Sequence, residues 1–123
     1  QAVFREMAEL VLRGVCTVED ADKAVTFGPG IRWGVMGPAL IFQLGGGKVG
    51  LKGLFTHLQD SINLWLDDMA AWKRYPDEWL DVVQNGLEEE MKNRPAEIGN
   101  TDETLAQYRD DMLIGLLKLH KKI

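Results

Sequence analysis

Apolar residues recur at intervals of three and four along most of the chain, a spacing that predicts amphipathic α-helices. In the first run, over residues 2–13, one helical face carries Val3, Met7, Leu10 and Val11. Gly14 predicts where this helix ends. Thr17 predicts the N-cap of a second, short helix, which runs to about Phe27 and stops at Gly28.

Two further helical patterns follow the segment that begins at Gly28. Pro38 favours the first turn of a helix, and the residues from there to Gly45 are apolar on nearly all sides, which predicts burial. A long pattern then runs from Val49 to about Lys73, as one helix or two.

The last two helices have clear N-terminal signals. Pro76 followed by Asp77 and Glu78 predicts a helix that continues to about Asn93. Thr101 predicts the cap of a final helix, whose length and apolar stripe suit packing against a partner surface. Because no segment alternates apolar and polar residues as a strand does, we predict an all-α bundle of about five to six helices.

Length and composition fit one domain over residues 1–123, with 46% hydrophobic residues, enough for an ordinary core. The net charge of -5 disfavours nucleic-acid binding. A single cysteine, Cys16, excludes an internal disulfide and favours a reducing compartment such as the cytoplasm. We expect a soluble protein, because no apolar run is long enough for a membrane span. The start at Gln1, inside a helical pattern, leads us to expect a piece of a longer protein.

The segment from Gly28 to Pro38 holds four glycines and two prolines around Arg32 and Trp33. Glycine and proline fix unusual backbone conformations, so the two side chains are expected on a constrained turn. A guanidinium and an indole ring placed in this way suit an anion or a cation-bearing ligand. The alternative is a connector with one buried tryptophan and one solvated arginine.

Other motifs are incomplete. The pair Gly28-x-Gly30 lacks a preceding strand and the glycine spacing of a dinucleotide loop. His57 and His120 have no cluster of metal ligands around them, so we predict no metal site. Cys16 has no base partner and is interpreted as a buried or half-buried spectator.

Several charged and aromatic residues are interpreted structurally. The acidic run over residues 88–90 is expected on a solvated helix face, as are Arg109 and its acidic neighbours. Three tryptophans on apolar helical stripes are expected in the core or at an interface: Trp65, Trp72 and Trp79.

Several motifs together carry a resemblance to a known family. They are Ala2-Val3-Phe4-Arg5-Glu6-Met7-Ala8, Val18-Glu19-Asp20-Ala21-Asp22-Lys23-Ala24, Gly28-Pro29-Gly30 and Met36-Gly37-Pro38. They resemble the C-terminal domain of the 3-hydroxyacyl-CoA dehydrogenase family, a helical fold like the C-terminal domain of 6-phosphogluconate dehydrogenase. Two more, Gly30-Ile31-Arg32-Trp33 and Leu105-Ala106-Gln107-Tyr108-Arg109-Asp110-Asp111, are similar to the L-carnitine 3-dehydrogenase branch.

The resemblance implies an NAD-dependent oxidoreductase that converts a 3-hydroxyacyl-CoA, or a 3-hydroxy acid such as L-carnitine, to the 3-keto product. In the family, an N-terminal Rossmann domain binds NAD and carries the catalytic histidine. That domain is absent from this chain, so neither histidine here takes the role, and no catalytic or cofactor-binding residue is expected. The chain alone is expected to be inactive, and to close over the substrate and form a homodimer.

By position, the resemblance places residues 28–38 at the border of the interdomain cleft, where Arg32, Trp33 and Met36 are candidate substrate-binding residues. If the substrate is carnitine, Trp33 suits its trimethylammonium group. If the substrate is an acyl-CoA or a hydroxy acid, Arg32 suits its anionic group. Two alternatives remain open. One is a non-catalytic helical dimerisation or interaction module that shares the fold, and the other is a stand-alone small-molecule binder that uses a Trp33 pocket.

Overall fold

The computed structural model describes all 123 residues, and it is built from helices without a strand, as predicted. Six α-helices have eight or more residues, and one is a single turn. They are α1 Ala2–Leu12, α2 Val18–Val25, the single turn α3 Ile31–Trp33, α4 Pro38–Gly45, α5 Gly50–Asp68, α6 Trp79–Asn93 and α7 Asp102–Leu119. A wide π-helical turn spans Thr26–Gly30, and 3₁₀ turns span Gly47–Val49 and Ala96–Ile98.

Both predicted threonine caps are confirmed. The Thr17 hydroxyl accepts the Asp20 backbone N–H at 3.1 Å, and the Asp20 carboxylate accepts the Thr17 N–H at 3.3 Å. At α7, the Thr101 hydroxyl accepts the Thr104 N–H at 3.3 Å. Gly14, with φ +68°, follows the end of α1. These caps satisfy amide groups that would otherwise lack a partner at the helix ends.

Helices α1, α2 and α6 pack against one another. A Cβ at Gly86 would lie 2.4 Å from Cγ2 of Val18, so the glycine lets α6 approach α2 closely. The buried apolar residues of the chain are Ala8, Val18, Ala21 and Ala70. No large side chain is fully buried, so the core is smaller than the composition led us to expect.

The predicted continuation of α5 to Lys73 is wrong, because the helix ends at Asp68. The N–H of Ala70 donates to Glu6 Oε2 at 3.0 Å, and Nε1 of Trp72 donates to Glu9 Oε2 at 3.1 Å. These hydrogen bonds to Glu6 and Glu9 of α1 therefore take the place of a further helical turn at the end of α5. Trp72 consequently lies in an irregular segment and not on a helical stripe.

The predicted burial of α4 is also wrong within this chain. Leu40 is 60% exposed and Leu44 is 67% exposed. Helix α5 covers α4 on one side, where the rings of Phe42 and Phe55 meet edge to face at 5.2 Å. A helix that is apolar all round needs neighbours on more than one side to be buried. No helix of the chain has both the length and the apolar character that a membrane crossing requires.

Candidate functional site

The Gly/Pro segment begins with a break in helical geometry. Gly28 has φ -92° and ψ -110°, away from the helical values of its neighbours, and Pro29 follows it inside the π-helical turn. A Cβ at Gly30 would lie 2.7 Å from the carbonyl oxygen of Val25, so the close approach within this turn requires glycine. The expected constrained turn is therefore present, although the backbone continues as a distorted helix past Gly28.

Local hydrogen bonds and one long-range contact stabilise the C-terminal part of the Gly/Pro segment. The carbonyl oxygen of Arg32 accepts the N–H groups of Val35 and Met36, each at 3.0 Å. Gly34 lies next to the C-terminal end of α7. The carbonyl oxygen of Gly34 is 2.7 Å from Nε2 of His120. Helix α7 therefore supports the turn that carries the candidate residues.

The structure places the three predicted substrate-binding residues within one short stretch of chain. Arg32 and Trp33 lie on α3, and Trp33 is 44% exposed. Arg32 is exposed with no carboxylate within ion-pair distance, whereas Met36 is half-buried. Successive helical residues point about 100° apart, so Arg32 and Trp33 present their groups in different directions. No side-chain hydrogen bond or ion pair joins the three into one site.

A second cluster lies where α2, α6 and the start of the π-helical turn meet. Glu90 is only 5% exposed, and its Oε2 atom has no hydrogen-bond partner. Its Oε1 atom is 3.7 Å from a terminal nitrogen of Arg94. Arg94 donates its other N–H groups to the carbonyl oxygens of Gly99 at 2.8 Å and Ile98 at 2.9 Å.

The expectation of a solvated acidic run is thus wrong for Glu90, although Glu88 and Glu89 are exposed. The sequence does contain a signal for this burial. Val83, Leu87 and Glu90 follow the three- and four-residue spacing of the apolar face of α6, which faces α1 and α2.

The pKa values of both carboxyls in this cluster are raised. Burial raises the pKa of Asp22, and a side-chain hydrogen bond with Glu90 and the positive charge of Arg94 offset part of that rise. Burial also raises the pKa of Glu90, with the negative charge of Asp22 adding to the rise and Arg94 opposing it.

A cavity of about 600 Å³ opens against this cluster. Asp22, Glu90 and Arg94 lie on its wall, together with residues of the π-helical turn and of α7. Ile31 is the last residue of the Gly/Pro segment that lines it, and Arg32, Trp33 and Met36 do not. Sequence reasoning did not identify this cavity, because its acidic residues lie 68 positions apart in the chain.

The structure also places the remaining candidate residues. No group of three or more histidine, cysteine, aspartate or glutamate side chains is arranged to hold a metal ion. The half-buried position predicted for Cys16 is confirmed. Arg109 forms an exposed ion pair with Asp110 at 2.7 Å, as predicted for a solvated helix face.

Comparison with known protein families identifies the family of the chain. Residues 1–85 match the family described as 3-hydroxyacyl-CoA dehydrogenase, C-terminal domain. This range includes α1 to α5, the Gly/Pro segment and the start of α6. No solved structure shows significant similarity to the chain.

Curated relatives extend the similarity to the rest of the chain. The chain is 32% identical over 128 residues to an L-carnitine dehydrogenase of Bacillus cereus, with 99% of the chain and 35% of the relative covered. It is 31% identical to one of Pseudomonas putida, with 98% and 36% covered. It is 37% identical to one of Streptomyces coelicolor, with 76% and 29% covered. The chain spans about a third of the length of these relatives, and it belongs to the family of the 3-hydroxyacyl-CoA dehydrogenase C-terminal domain.

Proposed function

We propose that the chain is the C-terminal, substrate-closing domain of an NAD-dependent dehydrogenase that oxidises the 3-hydroxyl group of L-carnitine or of a related 3-hydroxy acid. One observation carries the proposal: the similarity to L-carnitine dehydrogenases extends over nearly the whole chain. A non-catalytic module with the same fold is not favoured, because these relatives are named as enzymes.

The residues of this chain do not fit NAD. Dinucleotide loops join a strand to a helix N-terminus, whereas Gly28 and Gly30 lie inside a π-helical turn of an all-helical chain. The proposal therefore assigns NAD binding and the general base to an N-terminal domain outside these 123 residues. The role of this chain is to bind and enclose the substrate.

Trp33 is the residue of this chain proposed to contact the trimethylammonium group of carnitine. Its ring has no aromatic partner within the chain and is partly exposed. Indole rings attract quaternary ammonium ions through the negative charge of the ring face. Half-buried Met36, three residues further along, would add apolar contact.

Arg32 is proposed to bind an anionic group of the substrate. Its guanidinium has no ion-pair partner within the chain, so it is free to form the paired hydrogen bonds that arginine makes with carboxylates and phosphates. Because Arg32 and Trp33 point in different directions, this contact is the alternative to the Trp33 contact, and in a 3-hydroxy acid the bound group would be the carboxylate. In a 3-hydroxyacyl-CoA it would be a phosphate of the coenzyme.

A homodimer is proposed to cover the hairpin of α4 and α5. Large apolar side chains are exposed on both helices: Leu40, Phe42, Leu44, Leu64, Trp65 and Leu66. Exposed large apolar side chains concentrated on one pair of helices favour an interaction surface there. The lone cysteine supports the further proposal that the protein works in a reducing compartment such as the cytoplasm.

Turnover by the full-length protein tests the proposed function. NAD reduction is measured with L-carnitine and with 3-hydroxybutyryl-CoA, side by side. We expect turnover of L-carnitine. Turnover of the CoA ester alone would retain a dehydrogenase and overturn the carnitine assignment, and turnover of neither would favour the non-catalytic module.

A further inference from the structure

A cavity of about 360 Å³ lies between the start of α1 and the irregular segment that follows α5. Three charged side chains line it, and all three are basic: Arg5, Lys73 and Arg74. No carboxylate lies on its wall. The net charge of the whole chain is -5, so this concentration of positive charge is a local feature that the overall composition does not predict.

Two of the three basic side chains are available to a ligand. Lys73 and Arg74 are exposed, and neither forms an ion pair within the chain. Arg5 is already bound, because its guanidinium is 3.0 Å from Glu6 and donates to the carbonyl oxygen of Trp72 at 3.4 Å. Neighbouring cations repel each other, and an anion bound between Lys73 and Arg74 would relieve that repulsion.

Aromatic rings form the adjoining wall of the cavity. Trp72 and Tyr75 both line it, and both are half-buried. Their ring centroids are 5.0 Å apart and their ring planes meet at 83°, so the two rings form a corner. A planar ring in this corner can stack against one ring and meet the other edge to face, the two arrangements that aromatic pairs favour.

Hydrogen bonds and ring packing hold this wall in position. The Ala70 N–H donates to Glu6 at 3.0 Å, and Nε1 of Trp72 donates to Glu9 at 3.1 Å. The ring of Tyr75 packs on that of Trp79, with centroids 4.4 Å apart. Because these contacts are formed without a ligand, binding would order few side chains, which favours affinity.

We propose that this cavity binds a phosphate monoester that carries a planar aromatic ring, with the phosphate between Lys73 and Arg74 and the ring in the corner of Trp72 and Tyr75. Two unpaired cations match the two negative charges of a phosphate monoester, and the guanidinium of Arg74 suits paired hydrogen bonds to phosphate oxygens. The site goes beyond the proposed dehydrogenase function and does not depend on it.

Calorimetric titration of the full-length protein tests the proposal. The probe is 1-naphthyl phosphate at pH 8 and constant ionic strength, a pH at which phosphate monoesters carry two negative charges. We expect saturable binding that weakens as salt is added. Inorganic phosphate, which has no ring, 1-naphthol, which has no charge, and 1-naphthoate, which has a single charge, should each bind more weakly, by about tenfold or more.

Three variants separate the site from general attraction of anions. Lys73→Gln and Arg74→Gln each remove one exposed positive charge and should weaken binding of 1-naphthyl phosphate about tenfold. Tyr75→Leu should weaken binding of 1-naphthyl phosphate and leave binding of inorganic phosphate unchanged. Lys118→Gln, which removes an exposed and unpaired charge from α7, is the matched control and should bind as the unaltered protein does.

The contradicting outcomes are distinct. Absence of saturable binding, unchanged affinity in both Lys73→Gln and Arg74→Gln, or an equal loss in Lys118→Gln would overturn the site. These three residues are exposed, so the comparison remains valid if Tyr75→Leu does not fold. Equal affinity for inorganic phosphate would overturn the role of the rings, and equal affinity for 1-naphthoate would overturn the phosphate assignment. NAD reduction with L-carnitine is measured separately, so each result leaves the dehydrogenase proposal to its own test.

Discussion

Nε2 of His120 lies 2.7 Å from the carbonyl oxygen of Gly34, although 86 residues separate them in the chain. The contact ties the C-terminal end of α7 to the turn that carries Arg32 and Trp33. Leu116, one helical turn before His120, also faces Gly34, and its Cδ2 would be 3.4 Å from a Cβ at that position. Helix α7 thus stabilises the Gly/Pro segment through the contacts of Leu116 and His120 with Gly34.

Replacement of His120 tests this support. His120→Ala should increase hydrogen exchange at the amides of Val35 and Met36, by the loss of about 1 kcal/mol for one partly exposed hydrogen bond. His120→Gln retains an N–H donor and should recover most of the protection. Unchanged exchange in the alanine variant would show that Leu116 and the turn's own bonds are sufficient.

Trp33 and Arg32 have separable predicted effects in the full-length enzyme. Trp33→Leu should raise KM for L-carnitine about tenfold, the loss expected for a cation–π contact, with a smaller change in kcat. Leu80→Ala removes an exposed apolar side chain of α6, outside both the Gly/Pro segment and the proposed dimer surface, and is the control. Arg32→Ala should lower kcat/KM for anionic 3-hydroxy substrates. Normal kinetics in either variant would refute the role of that residue.

Close packing at Gly86 gives a paired stability prediction. Gly86→Ala should destabilise the α2–α6 contact by about 1–3 kcal/mol, because its Cβ would overlap Val18. Gly115→Ala is the matched control on α7, where nothing lies within 4 Å of an added Cβ. That change should leave stability unaltered or raise it by up to about 1 kcal/mol. Denaturant unfolding measures both, and equal effects would contradict the close approach of α2 and α6.

The carboxyls of half-buried Asp22 and buried Glu90 make stability depend on pH. Their raised pKa values mean that the folded chain holds protons more tightly than the unfolded chain. Stability from this source is therefore complete below the ordinary carboxyl pKa and is lost as pH rises through the folded values.

Glu90→Gln tests the sign of this dependence. The variant cannot ionise at position 90, so its unfolding midpoint should fall less with rising pH and exceed that of the unaltered protein at neutral pH. Glu88→Gln should leave the profile unchanged. A lower midpoint for Glu90→Gln at neutral pH would show that the ion pair with Arg94 outweighs burial.

Local signals explain which parts of the fold were predictable from the sequence. Thr17, Thr101 and Gly14 act through bonds and dihedral angles within a few residues, so the ends they mark are found where expected. The π-helical turn depends on how closely Gly30 approaches the carbonyl oxygen of Val25 five residues earlier, a backbone geometry that composition does not encode.

Long-range contacts explain the failures. Helix α5 ends early because Glu6 and Glu9 of α1 bind the residues that would have continued it. Helix α4 is exposed because one neighbouring helix covers one side. Glu90 is buried because its position on α6 faces α2, and its charge concealed an otherwise regular spacing. The site residues Arg32, Trp33 and Met36 remain predictions.

NADH formation by the full-length protein tests the central claim most directly, with L-carnitine as substrate and D-carnitine as its mirror-image control. The account predicts saturable, NAD-dependent turnover of L-carnitine and at most trace turnover of D-carnitine. Absence of NADH formation with L-carnitine, in a protein that binds NAD and is folded, would contradict it.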